Sequence, residues 1–448
     1  NPLQVQLVAN TAINPSSNTL GSVNILTNFS NITNQNPIIT QPSSMLLDAF
    51  GRNRISDCYT LGDYKHVYAI DPNLTNSSNA GGSTTFVKSK ACCTLATSTS
   101  NGSYAIHQTR MYHHYMPGKS HLILSSICFG AWQSNVTKRT GYFDDYDGIY
   151  FEQGGSNGTL SFNILSSLNG LTTVSQSNWN IDPLNGSGPS KIQLDITKTQ
   201  LLFIDMQWLG VGRVRCGFAI NGLHIDCHEF YNANNISTVY ISNPSLPIRC
   251  MASNIGPSPS GGSMDQICGT VISEGGYSEN GIDYAVNSAY IIMNENTSAP
   301  VLSIRLANTF NGYLNRVVVR LTNIQVMSTS QPLSFIVLKV DSSSNLSGGT
   351  WTNVDTNSAV QYLTGTGITL SGSLTNVLAS GIISAGGNGA NNIGSSSTSF
   401  GSSARRNFIV QNMNSTDSQV YIIYCKNLSI TNNTPTNVMV SLQWREIY

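Results

Sequence analysis

The segment from Gln200 to Phe230 has the longest strand-like pattern in the chain. It contains two apolar runs around Asn221-Gly222, and Asn-Gly between alternating runs is the strongest short-range signal for a β-hairpin. A two-residue turn fixes the register of such a hairpin. The expected cross-strand pairs are Ile220–Leu223, Phe218–Ile225 and Cys216–Cys227. One face is then apolar and the other polar, which is typical of an antiparallel sheet with a core on one side.

The remainder of the chain has a similar strand-like sequence pattern. Short apolar stretches rich in β-branched and aromatic residues are separated by Gly, Pro and Asn clusters, and no long 3.6-residue periodicity is present. Examples are HVYAI (66–70), HLILSSICFGAW (121–132), LSFNIL (160–165), NRVVVRLTNIQV (315–326) and LSFIVLKV (333–340). The pattern predicts an all-β protein with an antiparallel β-sandwich, jelly-roll-like body and a second β-rich C-terminal domain.

Composition changes along the chain suggest its division into domains. Residues 1–45 contain no Asp, Glu, Lys or Arg, and they are interpreted as an extended uncharged arm, with a disordered leader as the alternative. The main sandwich is predicted over residues 46–276 and the C-terminal β-rich domain over 277–448. A Gly/Ser/Asn-rich segment near 384–404 is typical of a flexible loop.

The charge balance favours neither nucleic acid nor an anionic membrane surface as a partner. The 448 residues carry no net charge, and only 10% are charged, against about 25% in an average soluble domain. Nucleic acid and anionic membrane surfaces need a basic patch, so neither is expected. No apolar run reaches the length of a membrane span.

The nine cysteines include no CxxC pair. Cys216 and Cys227 are expected to be neighbours at a hydrogen-bonded position of the hairpin, where Cα atoms lie about 5.5 Å apart and a disulfide is sterically allowed. The simpler interpretation is that the cysteines are small buried thiols in a reducing compartment.

No metal site is predicted. His224 and His228 have the spacing of a helical zinc pair, but the hairpin places them on a strand, where four residues span about 13 Å. Asp144, Asp145 and Asp147 resemble part of a calcium loop without the EF-hand spacing. A solvated acidic turn is the alternative for that segment.

No catalytic or cofactor-binding residue is predicted. The sequence contains no nucleophile elbow, P-loop or dinucleotide fingerprint. Two facing carboxylates would suit glycoside hydrolysis, and the candidates for such a pair are Asp195, Asp205, Asp226 and Glu229. Arg213 and Arg215 lie on one strand face and offer an anion site, but pairing with Asp226 and Glu229 is the simpler account.

A series of motifs carries a family resemblance. In order, they are DAFGRNRIS, QTRMYHHYMPGKS, GYFDDYDGIYFE, SQSNWNID, LDITKTQLLFIDMQWLGVGRVRCGF, CHEF, LPIR and ICGTVISEGG, between residues 48 and 276. The chain resembles a family of virion structural proteins of tailed phages and large double-stranded DNA viruses over about residues 47–380. The resemblance implies a β-rich, non-enzymatic particle component located in the virion.

The first functional hypothesis is therefore a capsid, vertex, fibre or tail protein. It would bind copies of itself, with a trimer favoured, and other virion proteins, and the arm would add contacts across subunits. The residues expected in the core of its body are Trp179, Trp208, Leu209, Val211, Val214, Phe218 and Ile225. Gly210, Gly212 and Gly217 are expected to permit a bulge or close sheet packing.

The alternative hypothesis is a carbohydrate- or receptor-binding surface module that contacts host glycans. Its proposed stacking residues are Tyr112, Tyr115, Trp132 and Tyr146. A third hypothesis, a polysaccharide-degrading enzyme, would use the four carboxylates named above.

Overall fold

A computed structural model describes residues 57–154, 157–278, 280–372, 374, 376–384, 394–399, 408–413, 416–430 and 434–448. The predicted arm, residues 1–45, lies outside the described residues. Of the predicted loop near 384–404, residues 394–399 form a strand, and residues 385–393 and 400–404 lie outside the described ranges.

The strands between residues 57 and 278 form two antiparallel sheets, here called the first sandwich. They are β1 (Cys58–Lys65), β2 (Leu74–Asn79), β3 (Ser83–Val87), β4 (Cys92–Thr97), β5 (Tyr104–Thr109), β6 (Ser120–Cys128), β7 (Val136–Phe143), β8 (Gly148–Gly154), β9 (Thr159–Ser166), β10 (Gly170–Ser175), β11 (Gln200–Gln207), β12 (Val214–Ile220), β13 (Leu223–Phe230), β14 (Ile248–Asn254) and β15 (Gly262–Glu274). Sheet A has the order β13-β12-β11-β6-β15-β4-β3, with β1 also paired to β15. Sheet B has the order β10-β9-β8-β7-β14-β5-β2.

Strands β12 and β13 form the predicted hairpin. Both residues of its Asn-Gly turn have positive φ, as a type I′ turn requires. Ile220 pairs with Leu223 and Phe218 pairs with Ile225. The turn chemistry therefore predicts the register correctly for the residues nearest the turn.

Farther from the turn, the register of the hairpin differs from the predicted one. Cys216 pairs with His228 and not with Cys227, because a β-bulge between Cys216 and Gly217 shifts the pairing by one residue. A Cβ on Gly217 would lie 2.6 Å from the ring of Phe203, so glycine permits close packing at the bulge. Cys216 and Cys227 are buried free thiols.

The first apolar run is also interrupted. Strand β11 ends at Gln207, and Leu209 and Gly210 adopt positive φ in a turn that leads to β12. Leu209 is 61% exposed and Val211 is 38% exposed. These two predicted core residues are therefore on the surface, because the glycine-containing turn takes them out of the strand.

The other predicted core residues lie in the first sandwich as follows. Trp179, Val214 and Phe218 are buried, and Trp208 and Ile225 are partly buried and pack against the same core. Aromatic rings fill the space between the sheets. The centroid of Phe151 on β8 lies 5.2 Å from that of Phe218 on β12, which is close enough for an edge-to-face contact.

Residues 280–448 contain a second sandwich. Its strands are β16 (Ile282–Asn287), β17 (Ile291–Met293), β18 (Ser298–Leu306), β19 (Thr309–Phe310), β20 (Tyr313–Leu314), β21 (Val318–Ser328), β22 (Leu333–Val340), β23 (Leu346–Ser347), β24 (Thr352–Asn353), β25 (Val360–Thr364), β26 (Thr369–Leu370), β27 (Val377–Ile383), β28 (Gly394–Ser399), β29 (Phe408–Ile409), β30 (Val420–Asn427) and β31 (Thr436–Ile447). Sheet C has the order β16-β31-β21-β28, with β17 on β31 and β29 on β21; sheet D has the order β24-β25-β18-β30-β22-β27. Two short ribbons, β19-β20 and β23-β26, complete it.

The second sandwich has its own core. Trp444 of β31 is fully buried, and it belongs to an apolar cluster with residues of both sheets, including Leu302, Val326 and Ile423. The expected all-β antiparallel sandwich class is therefore confirmed. Residues 57–448 form one compact unit, and within the described ranges no helix is long and apolar enough to cross a membrane.

Candidate functional site

The four proposed stacking residues do not form one platform. Tyr112 and Tyr115 are 3% and 4% exposed, so their rings belong to the interior and are closed to a ligand. Trp132 and Tyr146 are 36% and 50% exposed. They flank opposite ends of β7, whose eight residues span about 26 Å.

The buried tyrosines have structural partners. The guanidinium of Arg316 lies 4.4 Å from the ring centroid of Tyr112, and the Tyr115 hydroxyl accepts a hydrogen bond from the Trp208 backbone N–H at 3.1 Å. Sequence pattern alone cannot distinguish such rings from exposed ones, because both occur in polar-rich segments beside strands.

The acidic turn after β7 is only partly solvated, because its Asp145 side chain is 55% exposed whereas its other two carboxylates are buried. Asp144 and Asp147 are 4% and 3% exposed. Asp144 pairs with Arg316 at 3.3 Å, and Asp145 pairs with Arg249 at 2.5 Å. Both Asp147 oxygens accept hydrogen bonds from Ser242, at 2.9 Å from its N–H and 2.7 Å from its hydroxyl. The carboxylates of Asp144 and Asp147 thus have their partners inside the protein.

The histidines predicted on one strand are indeed on β13. The ring of exposed His224 stacks on Phe203 with centroids 4.9 Å apart. The buried ring of His228 accepts a hydrogen bond from the Asn180 N–H. Among the residues that the structure describes, no group of three or more His, Cys, Asp or Glu side chains could hold a metal ion.

The candidate carboxylates pair with arginines, as the simpler interpretation predicts. Arg213 pairs with Glu229 at 3.2 Å. Arg215 pairs with Asp205 and, at 3.7 Å, with Asp226. The fourth candidate, Asp195, accepts hydrogen bonds from Thr197 at the surface, which lowers its pKa.

A concave polar surface lies elsewhere, where the first sandwich meets the second. A cleft of about 440 Å³ is lined by the loop before β2, the end of β5, the end of β22 and the residues that precede β27 and β30. Its polar lining residues are Asp71, Asn73, Arg110, Lys339, Asp341, Asn376 and Gln419. We call it the inter-sandwich cleft.

Arg110 connects the two walls of the inter-sandwich cleft. Its Nε donates to the carbonyl oxygen of Pro72 at 3.2 Å, and its guanidinium reaches both carboxylate oxygens of Asp341 at 3.3 and 3.5 Å. Gln419 Nε2 donates to the same carboxylate at 3.0 Å. The walls are therefore held together by a network that leaves the cleft open.

Lys339 supplies the second cation. The pKa of its ammonium is lowered to about 8, chiefly by burial and also by the neighbouring positive charge of Arg110, while Asp341 acts in the opposite direction. No hydrogen bond or ion pair joins the Lys339 ammonium to any side chain in the described part of the chain. A partly buried cation thus faces the inter-sandwich cleft without a direct counter-ion.

None of the cleft residues was singled out from the sequence. The sequence places Asp71, Arg110, Lys339, Asn376 and Gln419 far apart along the chain, so no local motif contains them. Only the Asp-Pro-Asn turn at 71–73 has a local signal, and that signal indicates a turn and not a binding site.

Comparisons with known proteins found only distant structural similarity. No family model matches the sequence, and no curated protein matches it. Peanut lectin is similar in structure at 9% identity, covering 50% of this chain and 100% of the lectin, with a TM-score of 0.32. The carbohydrate recognition domain of Emp47p has 9% identity, covers 51% and 99%, and has a TM-score of 0.31.

A phage protein module is also among the similar structures. The CBM2 module of the evolved Dit protein of Lactobacillus casei BL23 phage J-1 has 8% identity, covers 50% of this chain and 100% of that module, and has a TM-score of 0.32. TM-scores this low carry no inference about ligands or partners. The resemblance to virion proteins therefore stays a prediction.

Proposed function

We propose that this protein is a non-enzymatic binding module that holds a carbohydrate in the inter-sandwich cleft. The observation that carries the proposal is the cleft itself. Its volume of about 440 Å³ lies within the roughly 300–1,000 Å³ of small-molecule sites. Carboxylate, amide and guanidinium groups converge on it, and together they can both donate to and accept from sugar hydroxyls.

The position of the cleft favours a binding role. Its polar groups come from loops at strand ends, carried by two sandwiches with separate cores. Loops held by a rigid scaffold are where binding residues are concentrated. Because the Arg110–Asp341 network already holds the walls together, a ligand would bind without a large ordering cost.

A glycan array with the purified full chain tests this proposal, followed by calorimetry on any positive glycan. Asn376 lines the cleft in a left-handed conformation, with φ of 65°, so N376G removes its amide while retaining the backbone. Loss of one hydrogen bond should weaken binding about 2- to 10-fold.

Asn311 provides the matched control. It is an exposed asparagine of the β19–β20 turn with φ of 51°, and N311G should leave the affinity unchanged. Silence of the folded protein on the array and in calorimetry would refute carbohydrate binding. Equal weakening by N311G and N376G would refute the assignment of the site.

We further propose that this module belongs to a virus particle, as a capsid, vertex, fibre or tail component that binds copies of itself and other virion proteins. The support is the motif series between residues 48 and 276 and the uncharged segment 1–45. A glycan-binding particle component would contact host-surface glycans, so the two proposals are compatible.

Native mass measurement of the full chain, compared with a chain lacking residues 1–45, tests the assembly. We expect a closed oligomer, with a trimer favoured, that dissociates to monomer without the arm. A monomer for both chains at micromolar concentration would contradict self-assembly and would leave the cleft proposal in place.

A further inference from the structure

We propose that the ligand of the inter-sandwich cleft carries an anionic group, a carboxylate or a sulfate on a saccharide, and that the Lys339 ammonium receives it. This inference rests on the carbohydrate-binding proposal and specifies its ligand class. Lys339 is the penultimate residue of β22 and pairs with Tyr421 of β30. The strand therefore fixes its backbone at the wall of the cleft.

The carboxylates of the cleft are already used by other donors. Asp341 accepts from Arg110 and from Gln419. Asp71 accepts from the backbone N–H and the side-chain amide of Asn73, each at 2.9 Å. Neither carboxylate forms a direct pair with Lys339, although both line the same cleft.

The ammonium of Lys339 is therefore a charge that is partly removed from water without a close partner. Burying an unpaired charge is costly, and the lowered pKa of Lys339 has the same cause. An anionic ligand group would restore the missing counter-ion and form a charge-assisted hydrogen bond, which is about twice as strong as a neutral one. This site would then discriminate anionic from neutral ligands.

The remainder of the lining fits the uncharged part of such a ligand. The amides of Asn73, Asn376 and Gln419 border the same space, and each amide group offers donors and an acceptor to hydroxyls. A cleft of about 440 Å³ also exceeds what a single inorganic ion fills. The chemistry therefore favours an acidic saccharide over a free anion.

Calorimetry with charge-matched ligand pairs tests the inference. The first pair is trigalacturonic acid and its methyl ester, and the second is galactose 6-sulfate and galactose. We expect the anionic member of at least one pair to bind about 10- to 100-fold more tightly than its neutral partner. Which pair shows the preference distinguishes a carboxylate from a sulfate, and sodium acetate and sodium sulfate alone should bind far more weakly.

Variants assign the preference to one side chain. K339M should remove the preference for the anionic ligand and leave the neutral ligand unaffected, and K339R should retain much of it. K426M is the control, because Lys426 is an exposed lysine on the adjacent strand β30. Each variant should unfold thermally like the parent protein.

The outcomes separate the two proposals. Equal binding of the anionic and neutral members of both pairs, or an undiminished preference in K339M, would overturn the anionic-ligand inference while carbohydrate binding stands. Absence of binding by every saccharide on the array and in calorimetry would overturn both.

Discussion

Arg316 and Asp144 form a buried ion pair between the segment before β21 and the turn after β7. Their side chains are 10% and 4% exposed, and the pair joins the second sandwich to the first. R316M leaves a buried carboxylate without its cation, and breaking such a pair costs about 3–5 kcal/mol. Urea unfolding should show a loss of that size.

The double variant R316M/D144N is the control for this pair. It removes both charges, so part of the lost stability should return. An unchanged urea midpoint in R316M would mean that the pair does not stabilise the folded state.

Phe218 occupies the centre of the first sandwich and is fully buried against rings from sheet B. F218A creates a cavity that the surrounding rings cannot fill, and we expect a loss of about 3–5 kcal/mol. Urea unfolding measures it. L171A is the comparison, because Leu171 is 53% exposed on the edge strand β10; a similar loss there would contradict the assigned core.

The thiols of Cys216 and Cys227 are buried, and burial raises the pKa of each. We therefore expect Ellman's reagent to modify exposed Cys58 in the folded protein and to reach Cys216 and Cys227 only after denaturation. Mass spectrometry of alkylated peptides identifies each site. Rapid native modification of Cys216 would contradict its burial.

At the level of elements, the hairpin turn between β12 and β13 depends on backbone conformation alone. Gly222 has φ of 78°, and a Cβ added there would meet no atom within 4 Å. G222A should therefore destabilise the protein by about 1–2 kcal/mol, the cost of a left-handed conformation for alanine. Thermal unfolding measures the loss, with L223A as the neutral exposed comparison.

The same hairpin shows how far local pattern can predict register. The two-residue turn determines the pairs nearest to it, because those pairs follow from turn geometry. Turn geometry does not predict the bulge between Cys216 and Gly217. It depends on how Gly217 packs against Phe203 of the neighbouring strand β11, and that contact depends on which strands pair.

The loop at Leu209 and Val211 shows a second limit. An apolar, alternating run predicts one strand through these positions, but the positive φ at Leu209 and Gly210 ends β11. The two glycines in this run are the local signal for the break. Apolar character alone therefore assigned Leu209 and Val211 wrongly to the core.

At the scale of the whole molecule, buried histidines make stability depend on pH. Burial lowers the pKa of His107 and of His121 to about 3 and that of His113 to about 4. The unfolded chain binds protons below about pH 6.5, whereas the folded protein does not. The contribution of these neutral histidines to the free energy of unfolding is complete above pH 6.5. It should fall on acidification by about 1.4 kcal/mol per histidine and pH unit.

Urea unfolding at pH 7, 6 and 5 checks this expectation. The carboxyl pKa values of Asp283 and Asp417 are lowered, so these groups titrate below the window. H121F is the control, because neither nitrogen of His121 has a hydrogen-bond partner among the described residues. Its free energy of unfolding should depend on pH less steeply, by the contribution of one histidine. A flat midpoint across this range would contradict the neutral buried histidines.

Local sequence patterns were sufficient to predict the all-β class and the first pairs of the β12–β13 hairpin. Alternation and turn preference act between residues that are close along the chain, so they can be read locally. The exposure of the aromatic residues and the position of the inter-sandwich cleft depend instead on how distant segments pack together. Arg110, Lys339 and Gln419 meet because strand pairing and contact between the sandwiches unite distant segments, and no local pattern encodes that meeting.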